Sequence, residues 1–401
     1  MNISADKSSL LKDINLYVIF GITLTSIMGL ASIAPAFPSI AKSLDVSTDR
    51  IGLIITFYTI PGILFTPALG VIADRFGRKR ILIPSLFIFG IAGTACAYAV
   101  SFEQLLLFRF FQGLGGASLG VLNITLIGDL YKKNRRATAM GYNAGVLSVG
   151  TASYPTIGGV LAVFGWYYPF YLTILAIPVG IFALFFLKAN KVEKSMELSL
   201  YFREVASALK STYVFGLFAG IFLTFIILYG GYITFFTMLL DERFGQSSLQ
   251  IGIILSGSSV ITGLISSQLG RLTLRFRERN LILTAAILYL IIFLIIPSVT
   301  NIWWFILPIV MFGVAQGINI PCLLNLITGY ALKDFRAVFL SVNWVVMKTG
   351  QALGPYLLGI AYLWYGIDGT FYITSLAAMM FILVTVIFIQ KDQKNTSSDE
   401  H

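Results

Sequence analysis

The amino-acid sequence predicts an all-α membrane protein with twelve transmembrane helices in two pseudo-symmetric six-helix bundles. Hydrophobic residues make up 57% of the 401-residue chain and charged residues 11%, against about 25% charged residues in soluble domains. The hydrophobic residues form continuous runs, without the polar alternation that marks the strands of a membrane barrel. Short sequence features also recur at a spacing of 200 residues, which indicates two homologous halves.

Twelve apolar runs are long enough to cross a bilayer, since roughly 20 residues span about 30 Å of hydrocarbon. They divide the chain into an N-terminal bundle at 1–188, a cytoplasmic linker at 189–212 and a C-terminal bundle at 213–401. The first run lacks the cleavage site of a signal peptide, so we expect it to stay in the mature chain. The predicted spans are 14–40, 48–71, 79–100, 102–130, 136–163, 167–188, 213–239, 247–272, 279–299, 302–331, 336–363 and 368–390.

The internal repeat is carried by glycine, proline and charged residues. Gly70, Arg75 and Phe76 recur 200 residues later as Gly270, Arg275 and Phe276. Homologous halves of this kind usually flank a central substrate path. The same spacing relates Arg136-Ala137 to Arg336-Ala337, Asn143 to Asn343, Gly150 to Gly350 and Pro155 to Pro355.

The basic residues orient the chain in the membrane. With the N-terminus in the cytoplasm, the tails, loops and linker on that side carry 23 of the 28 Lys and Arg residues, and the opposite loops carry Lys42, Arg50 and Arg243. Because basic residues stay on the cytoplasmic side, we expect a multi-pass protein of the cell membrane with both termini cytoplasmic. The net charge of +10 therefore reports topology, and no soluble domain is available to bind nucleic acid.

Residue usage argues against catalysis by this chain. The single histidine is His401, and Cys96 and Cys322 lie in separate apolar spans. We therefore predict no metal site, no cofactor and no bound ATP as the energy source. In the linker, apolar residues at helical spacing are compatible with an amphipathic surface helix or with a solvated tether.

A charged motif joins the second and third predicted spans. Residues 70–82 read G-V-I-A-D-R-F-G-R-K-R-I-L, and they match every position of G-x-x-x-D-R-x-G-R-K/R, the signature of the major facilitator superfamily. The chain resembles this family over essentially its whole length. Residues 109–117, R-F-F-Q-G-L-G-G-A, resemble its fourth-helix pattern R-x-x-Q-G-x-G-x-A. Residues 141–159 resemble the fifth-helix pattern of its drug and metabolite antiporters, with Tyr154 where that pattern has Gly.

The resemblance implies a gate at the cytoplasmic helix ends. In the family the motif aspartate, here Asp74, latches onto the start of the eleventh helix, here near Phe335 and Arg336, and so favours the outward-open state. Carboxylates among guanidiniums form charge-assisted hydrogen bonds, although the basic residues alone would also serve topology. The predicted gating residues are Gly70, Asp74, Arg75, Gly77, Arg78, Asp129 and Arg136.

Two full charges lie inside predicted spans, Arg109 in the fourth and Lys348 in the eleventh. Charges within the membrane are costly, which makes both candidates for solute binding or proton coupling; the alternative for Arg109 is bonding between helices. The first span has no carboxylate, so we expect an anionic, zwitterionic or neutral polar solute. The candidate cavity residues, with interhelical hydrogen bonding as their alternative role, are Arg109, Gln112, Asn123, Asn143, Tyr154, Tyr229, Tyr232, Gln316, Asn319, Asn325, Lys348 and Gln351.

Glycine and proline in the fifth and eleventh spans predict helices that pack closely and bend where the halves move. The ordinary alternative is small-residue packing. The residues concerned are Gly150, Pro155, Gly158, Gly350, Gly354 and Pro355.

Together these features favour a secondary active transporter that moves a small organic solute through the lipid bilayer by alternating access. We expect a monomeric efflux permease coupled to protons. The first alternative is a facilitator or symporter that imports an organic anion or metabolite. A receptor-like protein or channel and a membrane enzyme are weaker alternatives, since the paired gate and the lack of a catalytic constellation argue against them.

Overall fold

The computed structural model describes residues 10–187, 211–330 and 336–389, without the side chains of Pro67, Val71, Asp74 and residues 336–338. Within these ranges the chain forms helices and no strand. Ten of the described helices are long and apolar enough to cross a membrane, which confirms an all-helical multi-pass protein. The predicted linker, Phe335 and the side chains of Asp74 and Arg336 lie outside the described residues.

We number the described helices α1 to α11 along the chain. Most of them agree with the predicted spans within a few residues, and α8 continues beyond Gln268 as a short helix, Leu269–Arg275. The bounds are α1 Ile14–Ser43, α2 Leu53–Phe76, α3 Arg78–Tyr98, α4 Phe102–Leu130, α5 Lys133–Phe164, α6 Tyr168–Phe186, α7 Thr212–Phe244, α8 Ser248–Ser267, α9 Glu278–Ser298, α10 Ile302–Tyr330 and α11 Arg336–Ile387.

The long α11 contains the last two predicted spans as one 52-residue element. At Gly366 the backbone has φ 65° and ψ −168°, a conformation that glycine adopts without strain because it has no Cβ. Beyond this point Asp368 lies 2.6 Å from the guanidinium of Arg243, and Phe388 packs against Gly216 near the start of α7. The segment after Gly366 therefore runs back along the bundle.

Short polar residues set where several apolar runs become helical. Asp13 accepts a hydrogen bond from the backbone N of Asn15 at the start of α1 (3.0 Å). Ser101 does the same for the N of Gln104 at the start of α4 (3.2 Å). Ser247 forms a reciprocal capping box at the start of α8. Such caps satisfy backbone donors that the first helical turn leaves unpaired.

Helix boundaries recur at the same 200-residue spacing as the sequence features. The α-helical part of α3, Arg78–Ala95, corresponds to Glu278–Ile295 in α9. The 3-10 turns that follow are Cys96–Tyr98 and Ile296–Ser298. The sequence repeat is therefore also a repeat of secondary structure.

Two corresponding helices are interrupted. In α1 a 3-10 turn, Ala34–Ala36, separates two α-helical pieces. In α7 the middle is a π-helix, Ile227–Phe235, where the Thr234 hydroxyl donates to the carbonyl oxygen of Tyr229 (2.7 Å). Sequence periodicity predicts neither interruption, and π segments frequently occur at functional positions.

The two halves meet along two helix pairs, α2 with α11 and α5 with α8. They are joined at one end of the bundle, which we call the closed end and which contains residues 42–52 and 241–248. There Lys42 forms an ion pair with Asp241 (2.7 Å), and the Thr48 hydroxyl donates to Glu242 (2.7 Å). The α5–α8 pair is joined by a hydrogen bond between the hydroxyls of Thr156 and Ser256 (2.7 Å).

The halves separate toward the opposite end, which we call the open end. Gly159 of α5 lies against the backbone of Ser248, where a Cβ would be 2.5 Å from the carbonyl oxygen. Gly141 is 18 residues earlier in α5, about five turns along the same helix face, and no atom lies within 4 Å of the position of its Cβ. One face of α5 is thus in contact with α8 at the closed end and free of it at the open end.

Candidate functional site

Lys348 lies midway along α11, at the boundary between the halves. Its stem packs against Gly62 of α2, where a Cβ would be 3.4 Å from its Cδ. Its Nζ donates to Oε1 of Gln351 (2.9 Å) and lies 5.8 Å from the ring centroid of Tyr58. Lys348 is half-buried, and no acidic side chain in the described part of the chain forms an ion pair with it. An ammonium placed in this way has donors that an anionic or polar group could take.

Arg109 has a different environment, inside the N-terminal half. It has 0% exposed surface, and its Nη1 donates to the carbonyl oxygen of Gly29 (2.8 Å) and to Oε1 of Gln112 (2.6 Å). Its Nε donates to the carbonyl oxygen of Ile54 (3.3 Å). These contacts join α1, α2 and α4, so the geometry supports the interhelical role that was the alternative for Arg109 and Gln112.

A polar network connects α1, α4 and α5 within the same half. The Thr23 hydroxyl donates to Oδ1 of Asn143 (2.5 Å) and accepts from Nδ2 of Asn123. Tyr154 is half-buried and packs beside Gly150. Thr23 was not predicted as a site residue, although its position opposite two asparagines makes it the centre of this network.

A second polar group lies inside the C-terminal half. Nδ2 of Asn319 donates to the Thr224 hydroxyl (2.8 Å), and Tyr232 stacks on Phe312 with ring centroids 3.7 Å apart. Gln316 is 4% exposed, and neither of its amide atoms has a hydrogen-bond partner among the described residues. Buried polar groups are usually paired, so this half retains hydrogen-bonding capacity.

The predicted cavity residues therefore form three groups. Tyr229 belongs to none of them: it is half-buried in the π segment and stacks on Phe225 at 5.8 Å. Asn325 is exposed near the end of α10 and donates to Glu278 (2.7 Å), away from the boundary between the halves. Gln351 lies beside Lys348 as described above.

The predicted gating residues lie where α2, α3, α4 and α5 end or begin. Arg78 forms an ion pair with Asp129 (2.8 Å), which places the motif loop against the end of α4. Gly77 has φ 99° and makes the sharp turn between α2 and α3 that other residues adopt only with strain. Arg75 lies over the ring of Phe76 at 5.7 Å. Gly70 has open space around its Cβ position, and Arg136 packs beside Gly128.

The predicted bending residues are contact points between helices. Gly158 lies against the backbone of Ser32 in α1. Gly350 and Gly354 lie against the backbones of Phe222 and Ile226 in α7. Of this set, Pro155 and Pro355 reach across the boundary: Pro155 contacts Gly252 of α8, and Pro355 contacts Gly52 before α2. Gly150 packs against Leu24 and Ile27 of α1.

Tyr58 was not predicted, although it touches both intramembrane cations. The guanidinium carbon of Arg109 lies 4.4 Å from its ring centroid. An aromatic residue in an apolar span carries no signal that separates such a contact from ordinary packing. No group of His, Cys, Asp or Glu suited to a metal ion occurs among the residues that the structure describes.

The chain is similar to several membrane transporters. The family model described as Major Facilitator Superfamily matches residues 19–245 and 217–401. The bacillibactin exporter of Bacillus subtilis (strain 168) is 31% identical over 163 residues, which cover 39% of this chain and 40% of the exporter. The class B tetracycline resistance protein of Escherichia coli is 23% identical over 396 residues, which cover 94% of this chain and 97% of that protein.

Structural similarity extends over nearly the whole chain. The human organic anion transporter MFSD10 has a TM-score of 0.71 at 19% identity, over 93% of this chain and 99% of that protein. The resemblance drawn from the charged motif is confirmed by this fold and by the family model. The chain therefore belongs to the Major Facilitator Superfamily, and it is a membrane transporter rather than an enzyme.

Proposed function

We propose that this protein is a secondary active exporter of a small organic solute, driven by protons and working by alternating access. The observation that carries the proposal is the boundary between the halves, which is in contact at the closed end and separated at the open end. Relatives named as a bacillibactin exporter and a tetracycline resistance protein support outward transport. The protein acts as a monomer, with the solute path between its own two halves.

The chain crosses the cell membrane twelve times, with both termini cytoplasmic. The reversal at Gly366 divides α11 into two passes, and α2, at 24 residues, is long enough for one. Basic residues concentrate at the open end, as cytoplasmic loops require. In this orientation the structure corresponds to an inward-open state, and residues 1–188 and 213–401 are the two moving bundles.

The solute is anionic, zwitterionic or neutral and polar. Lys348 is half-buried, lies at the boundary and has no acidic partner among the described side chains. A cation in this position is stabilised when an anion or polar group arrives. Lys348 is also the group we assign to proton coupling, because solute and proton would then compete for one nitrogen.

The gate at the open end closes when Asp74 reaches the start of α11. The Arg78–Asp129 ion pair supports the motif loop from the side of α4. We expect Asp74→Asn to abolish most transport and Asp129→Asn to reduce it less, with both proteins inserted normally. Near-normal transport by Asp74→Asn would contradict the gating role.

The test is transport of a labelled solute panel in inverted and right-side-out vesicles, with and without a pH gradient. Export coupled to protons predicts accumulation of an anionic or polar solute in inverted vesicles that are acidic inside, and loss of accumulation when the gradient is collapsed. Vesicles that contain Lys348→Ala serve as the matched control. Accumulation in right-side-out vesicles that are alkaline inside would instead support an importing symporter.

A facilitator would give equilibration without accumulation in either orientation. Robust export of quaternary ammonium dyes, unchanged in Lys348→Ala, would reject the solute class. These outcomes separate the direction of transport, the coupling to protons and the charge of the solute.

A further inference from the structure

One aromatic ring contacts the two intramembrane cations, and these cations belong to different halves. Tyr58 of α2 is 4% exposed. Its ring centroid is 4.4 Å from the guanidinium carbon of Arg109 and 5.8 Å from Nζ of Lys348. Both distances are within the range in which a cation is attracted by the ring electrons. The ring is therefore an electrostatic contact between the N-terminal half and α11.

Tyr58 is fixed by its own half. Gly113 of α4 lies against its backbone oxygen. A Cβ on Gly116 would be 2.8 Å from its hydroxyl, and one on Gly29 would be 3.1 Å from it. Because these glycines leave no free space around the residue, the ring stays in place when the halves separate.

Lys348 is the mobile partner. Its side chain has four methylene groups with free rotation, and its Nζ hydrogen-bonds to a residue of its own helix, Gln351. The contact with Tyr58 requires that α11 lies against α2. That packing is also maintained by the Thr56 hydroxyl, which donates to the carbonyl oxygen of Ala352 (2.8 Å). The cation–ring contact therefore belongs to the conformation in which the closed end is closed.

We propose that Tyr58 is a positioning residue that latches Lys348 to the N-terminal half while the closed end is closed. An anionic group of the solute releases the latch by drawing the ammonium away from the ring. This second step rests on the proposed function, since it assumes that the solute binds Lys348. The latch itself does not depend on the solute and is measured without it.

The experiment measures the separation of the halves at the closed end. Spin labels on Val100→Cys, in the loop before α4, and on Trp303→Cys, in α10, report the distance between halves, because these side chains are 86% and 73% exposed. The native Cys96 and Cys322 are buried and are left in place. Distance distributions are recorded for the reconstituted full-length protein without solute.

Four backgrounds are compared, namely Tyr58→Leu, Tyr58→Phe, Lys348→Met and the double variant Tyr58→Leu with Lys348→Met. Loss of a desolvated cation–ring contact should raise the population with a separated closed end by about tenfold. We expect this change in Tyr58→Leu and in Lys348→Met, no further change in the double variant, and the wild-type distribution in Tyr58→Phe, which keeps the ring. Equal shifts by Tyr58→Leu with and without Lys348 would overturn the latch, because the ring would then act only by packing.

Release by an anion is tested with benzoate, and with benzamide as its neutral match. Benzoate should shift the wild-type distribution in the same direction as Tyr58→Leu and should leave Lys348→Met unchanged, while benzamide should shift neither. If the variants behave as expected and benzoate has no effect, release by an anion is wrong, while the latch is supported. If benzoate shifts the wild type but Tyr58→Leu does not, the latch is wrong and the anionic solute is supported.

Discussion

The two halves treat their one intramembrane cation in opposite ways. Arg109 in the N-terminal half has no exposed surface and donates to carbonyl oxygens of two other helices. Lys348 in the C-terminal half is half-buried and bonds to a side chain one turn along its own helix. The first cation holds its half together, whereas the second faces the boundary where the halves move. The cost of burying a charge is thus met by internal acceptors in one case and left for a solute in the other.

The same contrast holds for the neutral polar residues. In the N-terminal half, Thr23 bonds to both Asn123 and Asn143. In the C-terminal half, both amide atoms of Gln316 and Oδ1 of Asn319 have no hydrogen-bond partner among the described residues. The N-terminal half is therefore the better satisfied bundle, and we expect its polar residues to matter for stability more than for transport.

The largest effect should come from Arg109→Ala. This change leaves the acceptors on Gly29, Ile54 and Gln112 without their donor and creates a cavity. We expect a loss of about 3–5 kcal/mol in the free energy of unfolding. Thermal unfolding in detergent measures it, with Arg109→Lys as a partial rescue. A variant that is as stable as the wild type but does not transport would break the contrast and assign Arg109 to coupling.

Lys348→Ala should reduce transport by about ten- to a hundredfold, the loss expected for one charged contact to a solute. Its unfolding free energy should change by less than about 1 kcal/mol, because the side chain is half-buried and makes one hydrogen bond. Lys348→Arg should retain part of the activity, since it keeps the charge but changes the donor geometry. Initial rates and thermal unfolding on the same preparations decide the matter, and a large loss of stability would place Lys348 in the same class as Arg109.

A matched pair of neutral substitutions sharpens the contrast. Asn123→Leu removes a donor from the Thr23 network and should cost about 1–3 kcal/mol of stability. Gln316→Leu removes no hydrogen bond made within the described protein, so its cost should be below about 1 kcal/mol. Equal destabilisation in denaturant titrations would show that the two halves are equally well satisfied.

The smallest effect should come from Asp241→Asn at the closed end. Its partner Lys42 is 69% exposed, and exposed ion pairs contribute about 0–1 kcal/mol. We expect a shift of a few-fold at most toward a separated closed end, and the shift should shrink further in high salt. The spin-label pair at positions 100 and 303 measures it, with Thr48→Val as a control that removes a neighbouring neutral contact.

Much of the fold could be predicted because it depends on local chemistry. Apolar runs, capping residues such as Ser101 and the repeat spacing fix the helix boundaries, and the agreement of Arg78–Ala95 with Glu278–Ile295 follows from that repeat. The turn at Gly77 could be predicted because only glycine accepts its φ of 99° easily. Gly366 was harder, since nothing in its neighbours marks a reversal instead of a loop.

The candidate site could be predicted only in part. Arg109 and Lys348 were found because charges are rare in spans, but their different surroundings depend on contacts between helices distant in sequence. Tyr58 meets Lys348 across 290 positions, a relation that no local pattern encodes. The latch by Asp74 stays a prediction, because that side chain lies outside the described residues.

The interruptions in α1 and α7 have opposite winding. The 3-10 turn Ala34–Ala36 is overwound and the π segment Ile227–Phe235 is underwound relative to an α-helix. Conversion of both to regular α-helix would turn the outer tips of the two helices in opposite senses, like a pair of counter-rotating screws. Those tips carry Lys42 and Asp241, which are joined by an ion pair. Torsion stored along these two helices would therefore be released at this salt bridge, and a covalent cross-link between positions 42 and 241 should stop both the rotation and transport.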